Sequence, residues 1–149
     1  MSVKKRLQSD LTTAIKGRDE LTAATLRMAL TAVTNEEVAG KQARVLSEDE
    51  VVAVLSREAK KRRESAEAFD GAGRPELAER ERAELGVLTA YLPAQLSDDE
   101  VAALVREAIA ESGASGPQAM GQVMKIVQPK VAGRAEGGRV AAEVRRQLA

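Results

Sequence analysis

Apolar residues recur along this chain at intervals of three and four, the spacing of helices that bury one face. Val3, Leu7, Leu11, Ala14 and Ile15 predict a first helix, closed by Gly17. Between Glu20 and Ala39 apolar positions fall on two faces: Leu21, Met28 and Ala32 on one, Leu26, Leu30 and Val33 on the other. This second helix is therefore expected to be central and covered on more than one side. After a polar break from Gly40 to Leu46, Ser47-Glu48-Asp49-Glu50 sets a Ser N-cap three residues before a Glu, a capping box that starts a third helix running to about Phe69. The turn Asp70 to Pro75 places Pro at a first helical position, and a fourth helix follows to about Tyr91.

Leu92-Pro93 breaks the pattern. Ser97-Asp98-Asp99-Glu100 is a second capping box, ahead of Val101, Leu104, Val105, Ala108 and Ile109. Met120, Val123, Met124 and Val127 predict a short helix ended by Pro129, and Gly133 to Gly138 leads into a last helix bearing Val140, Val144 and Leu148. The expected fold is all-α, with a four-helix domain over residues 1–92 and a small three-helix domain over 93–149. The helices after the two capping boxes differ in length and charge, so no internal repeat is assigned.

On a wheel at 100° per residue, Glu58, Arg62 and Ser65 lie in the middle of the third helix's apolar stripe, and Glu81 and Glu84 lie on that of the fourth. An antiparallel hairpin about the turn near Gly71 to Arg74 brings Arg62 close to Glu81, so an ion-pair network containing Arg62 and at least one of Glu81 and Glu84 is predicted. Two readings are open. Clustered carboxylates beside an Arg could make a polar site for a ligand or a proton, or they could form a structural network that sets helix register.

Composition narrows the chemistry. The 149 residues include no His and no Cys, which excludes histidine proton shuttles, thiolate nucleophiles and the zinc sites built on them. No nucleophile with an adjacent base is recognisable, so no catalytic residue, metal ligand or cofactor is assigned. One Tyr, one Phe and no Trp leave almost no platform for stacked bases. The start carries neither signal peptide nor membrane span, and the expected compartment is the cytoplasm.

The 23 basic and 23 acidic residues cancel, so any attraction to a polyanion must be local. The densest positive run, Arg57 to Arg63, reads either as a phosphate contact or as a solvated face balanced by Glu64 and Glu67. From Gly113 to Ala149 six basic side chains face two acidic ones, a net charge of +4. Arg134 and Arg139 there flank a Gly-rich opening to the last helix, where free backbone N–H groups could meet a phosphate; the other reading is a plain turn. Met28, Met120 and Met124 are expected to fill core space, and Arg27 is either a buried ion-pair member or an exposed side chain.

Together, Ser56-Arg57-Glu58-Ala59-Lys60-Lys61-Arg62-Arg63-Glu64-Ser65 with Phe69 and Arg74, Tyr91-Leu92-Pro93-Ala94-Gln95-Leu96-Ser97, Met120-Gly121-Gln122-Val123-Met124 and Pro129-Lys130-Val131-Ala132-Gly133-Arg134-Ala135 resemble a stand-alone protein of the GatB/YqeY-domain family over essentially the whole length. The resemblance implies an N-terminal helical domain and a three-helix C-terminal domain similar to the tail of the B subunit of the glutamine-dependent tRNA amidotransferase. That tail touches the tRNA body, while the amide chemistry belongs to other domains; related domains are appended to a glutaminyl-tRNA synthetase in a tRNA-binding role. Lys125 stands where the stand-alone family commonly has Gly, as in the amidotransferase tail, and Glu136 stands where Asp is usual.

Three functions follow as expectations. The first is an accessory tRNA-binding module, with Lys125, Lys130, Arg134 and Arg139 on the phosphate backbone and an aminoacyl-tRNA synthetase or amidotransferase subunit as protein partner. The second is a carbon–nitrogen ligase with glutamine as amide donor. The third is a protein-interaction module without an RNA ligand.

Overall fold

Ser2, Asp19, Ser47 and Ser97 each accept, through a side-chain oxygen, the backbone N–H three residues on, and each starts a helix there. At Ser47 and Ser97 the reciprocal bond from Glu50 and Glu100 completes a capping box. In the computed structural model, which describes residues 2–149, every regular element of the described chain is a helix, with no strand, and the chain separates into two units, residues 2–92 and 93–149. The first holds α1 (Val3–Lys16), α2 (Glu20–Glu37), α3 (Glu48–Gly71) and α4 (Pro75–Thr89); the second holds α5 (Asp98–Ser112), a single 3-10 turn (Pro117–Ala119), α6 (Met120–Val131) and α7 (Gly137–Leu148).

In the first unit α3 and α4 form an antiparallel hairpin. Its turn needs a left-handed residue, supplied by Gly73 at φ 72°, and the Arg74 N–H closes back on the Phe69 carbonyl at 2.8 Å. α2 packs against α1, α3 and α4. Leu7, Leu26, Val33, Leu55 and Leu88 form the centre of this core. Tyr91 closes one end: its hydroxyl donates to Asp10 at 2.5 Å and its ring carries the Arg6 guanidinium at 5.1 Å. Burial first, then the Asp10 bond, pushes the Tyr91 hydroxyl well above the usual tyrosine range.

The second unit has its own core, built from Val105, Val123, Val127, Val140 and Val144 with Leu96 and Leu148. α6 corrects one expectation. It does not end at Pro129 but runs to Val131. Pro lacks the N–H that would reach the Lys125 carbonyl, yet Val127 and Val131 are both buried, and their packing carries the last turn past the missing bond. The fourth helix likewise stops at Thr89, and the Tyr91 and Leu92 N–H groups close tighter turns onto Leu88 and Thr89.

Met28 is the second correction. Read as core filler, it is 50% exposed: Arg62 of α3 reaches its sulfur at 3.6 Å, and half of the side chain stays in water.

The α1–α2 connection stores strain. The Asp19 N–H returns to the Ala14 carbonyl, and the residue between this closure and Gly17 is Arg18 at φ 57°, a left-handed position where a side chain is unfavourable. Arg18→Gly is expected to raise stability by about 0.5–1 kcal/mol, the left-handed cost less the added flexibility of the unfolded chain; a urea titration measures it, and an unchanged midpoint would refute the strain.

Candidate functional site

Two groups of polar side chains were singled out by sequence, one in each unit. In the first unit α3 turns Glu58 and Arg62 inward, one helical turn apart, and α4 turns Glu84 toward them; all three are buried. The Arg62 guanidinium donates from one terminal nitrogen to the Glu58 carbonyl at 3.0 Å and to Glu58 Oε1 at 3.3 Å. Its other terminal nitrogen reaches Met28 Sδ at 3.6 Å, so the half-exposed methionine roofs the charge. Nε sits 3.8 Å from Glu84 Oε2, an ion pair without a hydrogen bond. Lys61 adds a bond to Glu58 Oε2 at 2.9 Å.

Glu81 lies at the edge of this cluster, half-buried. Burial raises its carboxyl above the usual range, the neighbouring Glu84 raises it further, and Arg62 and Arg80 pull the other way. The chain has no thiol or imidazole to accompany these groups, and among the described residues no set of three or more acidic side chains is arranged to hold a metal ion. One cation is thus shared between two helices and flanked by carboxylates, an arrangement able to set helix register.

The basic run on α3 is matched within the first unit at four positions. Arg57 pairs with Glu36 at 3.5 Å, Lys60 with Glu64 at 3.9 Å and Lys61 with Glu58, while Arg62 is interior.

In the second unit the four basic side chains chosen for phosphate contact do not converge. Arg139 donates to the Leu96 carbonyl at 2.6 Å and pairs with Asp98 at 3.1 Å. Arg134 accepts the Leu96 N–H on its own carbonyl at 2.8 Å and directs Nε to the Ala94 carbonyl at 3.5 Å. Gln95 joins them through the Gly133 carbonyl at 3.0 Å. The loop before α7 and the first turn of α7 thus clamp the extended segment before α5. Sequence reading missed this, because side-chain bonds to carbonyls some forty residues away leave no periodic trace.

Lys130 pairs with Glu111 of α5 at 3.3 Å, and both remain largely in water. Lys125 is exposed on α6 and makes no ion pair among the described residues. At 100° per residue it shares a face with Gly121 and Gln122, both exposed, and lies about 140° from Lys130. A methyl group at Gly121 would touch nothing within 4 Å, so no internal contact requires glycine there. The same holds at Gly137 and Gly138 in the first turn of α7.

Two outcomes test this division of roles. Arg139→Met should cost about 1–2 kcal/mol in urea unfolding, the size of a lost charged hydrogen bond, whereas Lys125→Met should leave the midpoint unchanged; equal effects would contradict it. Glu81, with its folded pKa raised, contributes stability that is full below its unfolded pKa and is lost as pH rises through the folded one. Glu81→Gln should therefore raise the melting temperature at pH 7 and gain much less near pH 4; a pH-independent change would exclude the linkage.

Comparison with known proteins finds a similar relative and a matching family. The chain is 31% identical over 134 residues, 87% of its own length and 71% of the relative's, to a Pyrenophora tritici-repentis protein named altered inheritance of mitochondria protein 41, mitochondrial. No helix among the described residues is long and apolar enough to cross a membrane. The sequence model described as Yqey-like protein matches residues 4–148, nearly the whole helical chain, and the protein belongs to that family.

Proposed function

We propose that this protein is an accessory tRNA-binding module that assists tRNA-dependent amidation or aminoacylation, delivering or holding the RNA while a partner synthetase or amidotransferase subunit performs the chemistry. The observation that carries this reading is the outer face of α6. Lys125 there is exposed and unpaired, and Gly121, one turn earlier, exposes bare helix backbone with no internal reason for a missing side chain. Glycine costs a helix about 0.5–1 kcal/mol in its middle and less in the first turn, where Gly121 lies. That cost is offset where another backbone approaches closely, and a phosphodiester strand beside a lysine is such a neighbour. The similarity of this segment to the amidotransferase tail points the same way. A-form RNA hides its base edges, so shape, phosphates and 2′-hydroxyls would be read, as suits a surface with no aromatic platform.

Arg134 and Arg139 support the surface by holding its loop, and Lys130 and the exposed Arg145 add to the local field. Fluorescence anisotropy of tRNA across a salt series, with duplex DNA of matched length as control, tests the reading. The chain should prefer tRNA, Lys125→Glu should weaken binding several-fold and lower the salt slope by about one phosphate contact, and Gly121→Leu should weaken it without changing the slope. Equal affinity for DNA, or wild-type affinity in both variants, would sink the proposal.

A further inference from the structure

α2 carries two apolar faces, and the first unit fully covers only one of them. On the inner face Leu26, Ala29 and Val33 are fully buried. On the outer face Leu21, Ala24, Met28, Thr31 and Asn35 follow at steps of three, four, three and four, the spacing of a coiled-coil seam. The unit covers this seam only in part: Arg62 reaches Met28 Sδ, yet Met28 is 50% exposed, Leu21 and Ala24 are half-buried, and Thr31 and Asn35 are open. It floors two clefts that share Arg27. One, of about 720 Å³, extends to Ile15 and Arg18 at the end of α1 and to Arg80 on α4; the other, of about 330 Å³, lies beside Glu58 and Lys61 of α3. From Leu21 to Asn35 the seam measures about 21 Å, roughly four helical turns.

The charges around it are lopsided. Arg18, Arg27 and Arg80 are all exposed and none makes a salt bridge among the described residues, although Arg80 acts on Glu81. Of the carboxylates on the rim, Asp19 caps α2 through Thr22, and Glu58 is held by Arg62 and Lys61, which leaves Glu20. Arg18 keeps its side chain on this groove from a backbone position that would be more stable as glycine, an arrangement that favours function over stability.

We propose that the outer face of α2 is a docking groove for an acidic amphipathic helix of a partner protein. Such a helix would lay its apolar residues over Leu21, Ala24 and Met28, against the 49%-exposed Ile15, and set its carboxylates on Arg18, Arg27 and Arg80. The match is one of length, spacing and charge. A second copy of this chain fits poorly, because it would bring a rim equally rich in arginine and poor in free carboxylates against this one. A nucleic-acid backbone would satisfy the arginines but leave Ile15 and Met28 in water, with no ring on which to stack a base. The groove lies in the first unit and is independent of the RNA reading of the second.

The probe is a labelled helical peptide of about 20 residues with Leu along its seam and Glu on both flanks, compared with the same peptide carrying Lys on the flanks. Titrated against the intact chain by anisotropy, the Glu peptide should bind at least about tenfold tighter than the Lys peptide. Arg27→Glu combined with Thr31→Glu should lose about tenfold or more of that affinity, and Lys125→Glu should lose none. Arg18→Gly, a variant expected to gain stability, should bind the peptide several-fold more weakly, which separates recognition from folding. Equal binding of the two peptides, or undiminished binding by the α2 variants, would overturn the proposal. So would loss of tRNA affinity in Arg27→Glu, which would give the face to RNA, or a concentration-dependent dimer abolished by Arg27→Glu, which would give it to a second copy.

Discussion

A guanidinium shut away from water needs charge and hydrogen-bond partners, and at Arg62 they come from α2, α3 and α4, with Nε left to an ion pair alone. Glu58 supplies a carboxylate and a carbonyl from one turn back on α3, Glu84 supplies a carboxylate from α4, and Met28 closes over the charge from α2. Sliding α4 by one turn would pull Glu84 away and leave a buried charge short of a partner, an error that costs several kcal/mol in proteins generally. The two helices could otherwise pack in more than one register. The polar cluster works against that freedom, as buried ion pairs do where they fix register.

The second unit solves a different problem. Its core is Val-rich and small, and the segment entering α5 is extended, with backbone groups that need partners. Arg134, Arg139 and Gln95 provide them by bonding across about forty residues of chain. A basic segment therefore contains two kinds of cation. Some hold carbonyls and keep the unit assembled; Lys125, with Gly121 beside it, faces outward with no internal duty. Net charge alone does not separate the two, whereas hydrogen-bond partners do.

The same reasoning applies to α2. An apolar stripe is ordinarily evidence of burial, but the stripe through Met28 is covered only in part and is bordered by arginines without ion pairs. A stripe that the fold leaves partly open, on an element otherwise central to its unit, is where a partner is best sought. The strained Arg18 at its end belongs to the same surface.

What could be read from the chain by itself is what depends on neighbours three or four residues away. The capping boxes at Ser47 and Ser97, the Gly73–Pro75 turn, the helical periods and the polar residues inside the α3 and α4 stripes are all of this kind. The ordering of the motifs also carried the family. Tertiary structure alone decided which face of α2 is covered, that Pro129 is tolerated inside α6, and which arginines are committed to carbonyls. Those outcomes rest on contacts between residues far apart in sequence, such as Tyr91 with Asp10, Arg62 with Met28 and Arg139 with Leu96. Such pairs obey no period, because their geometry is set by how whole helices pack and not by the local path of the backbone.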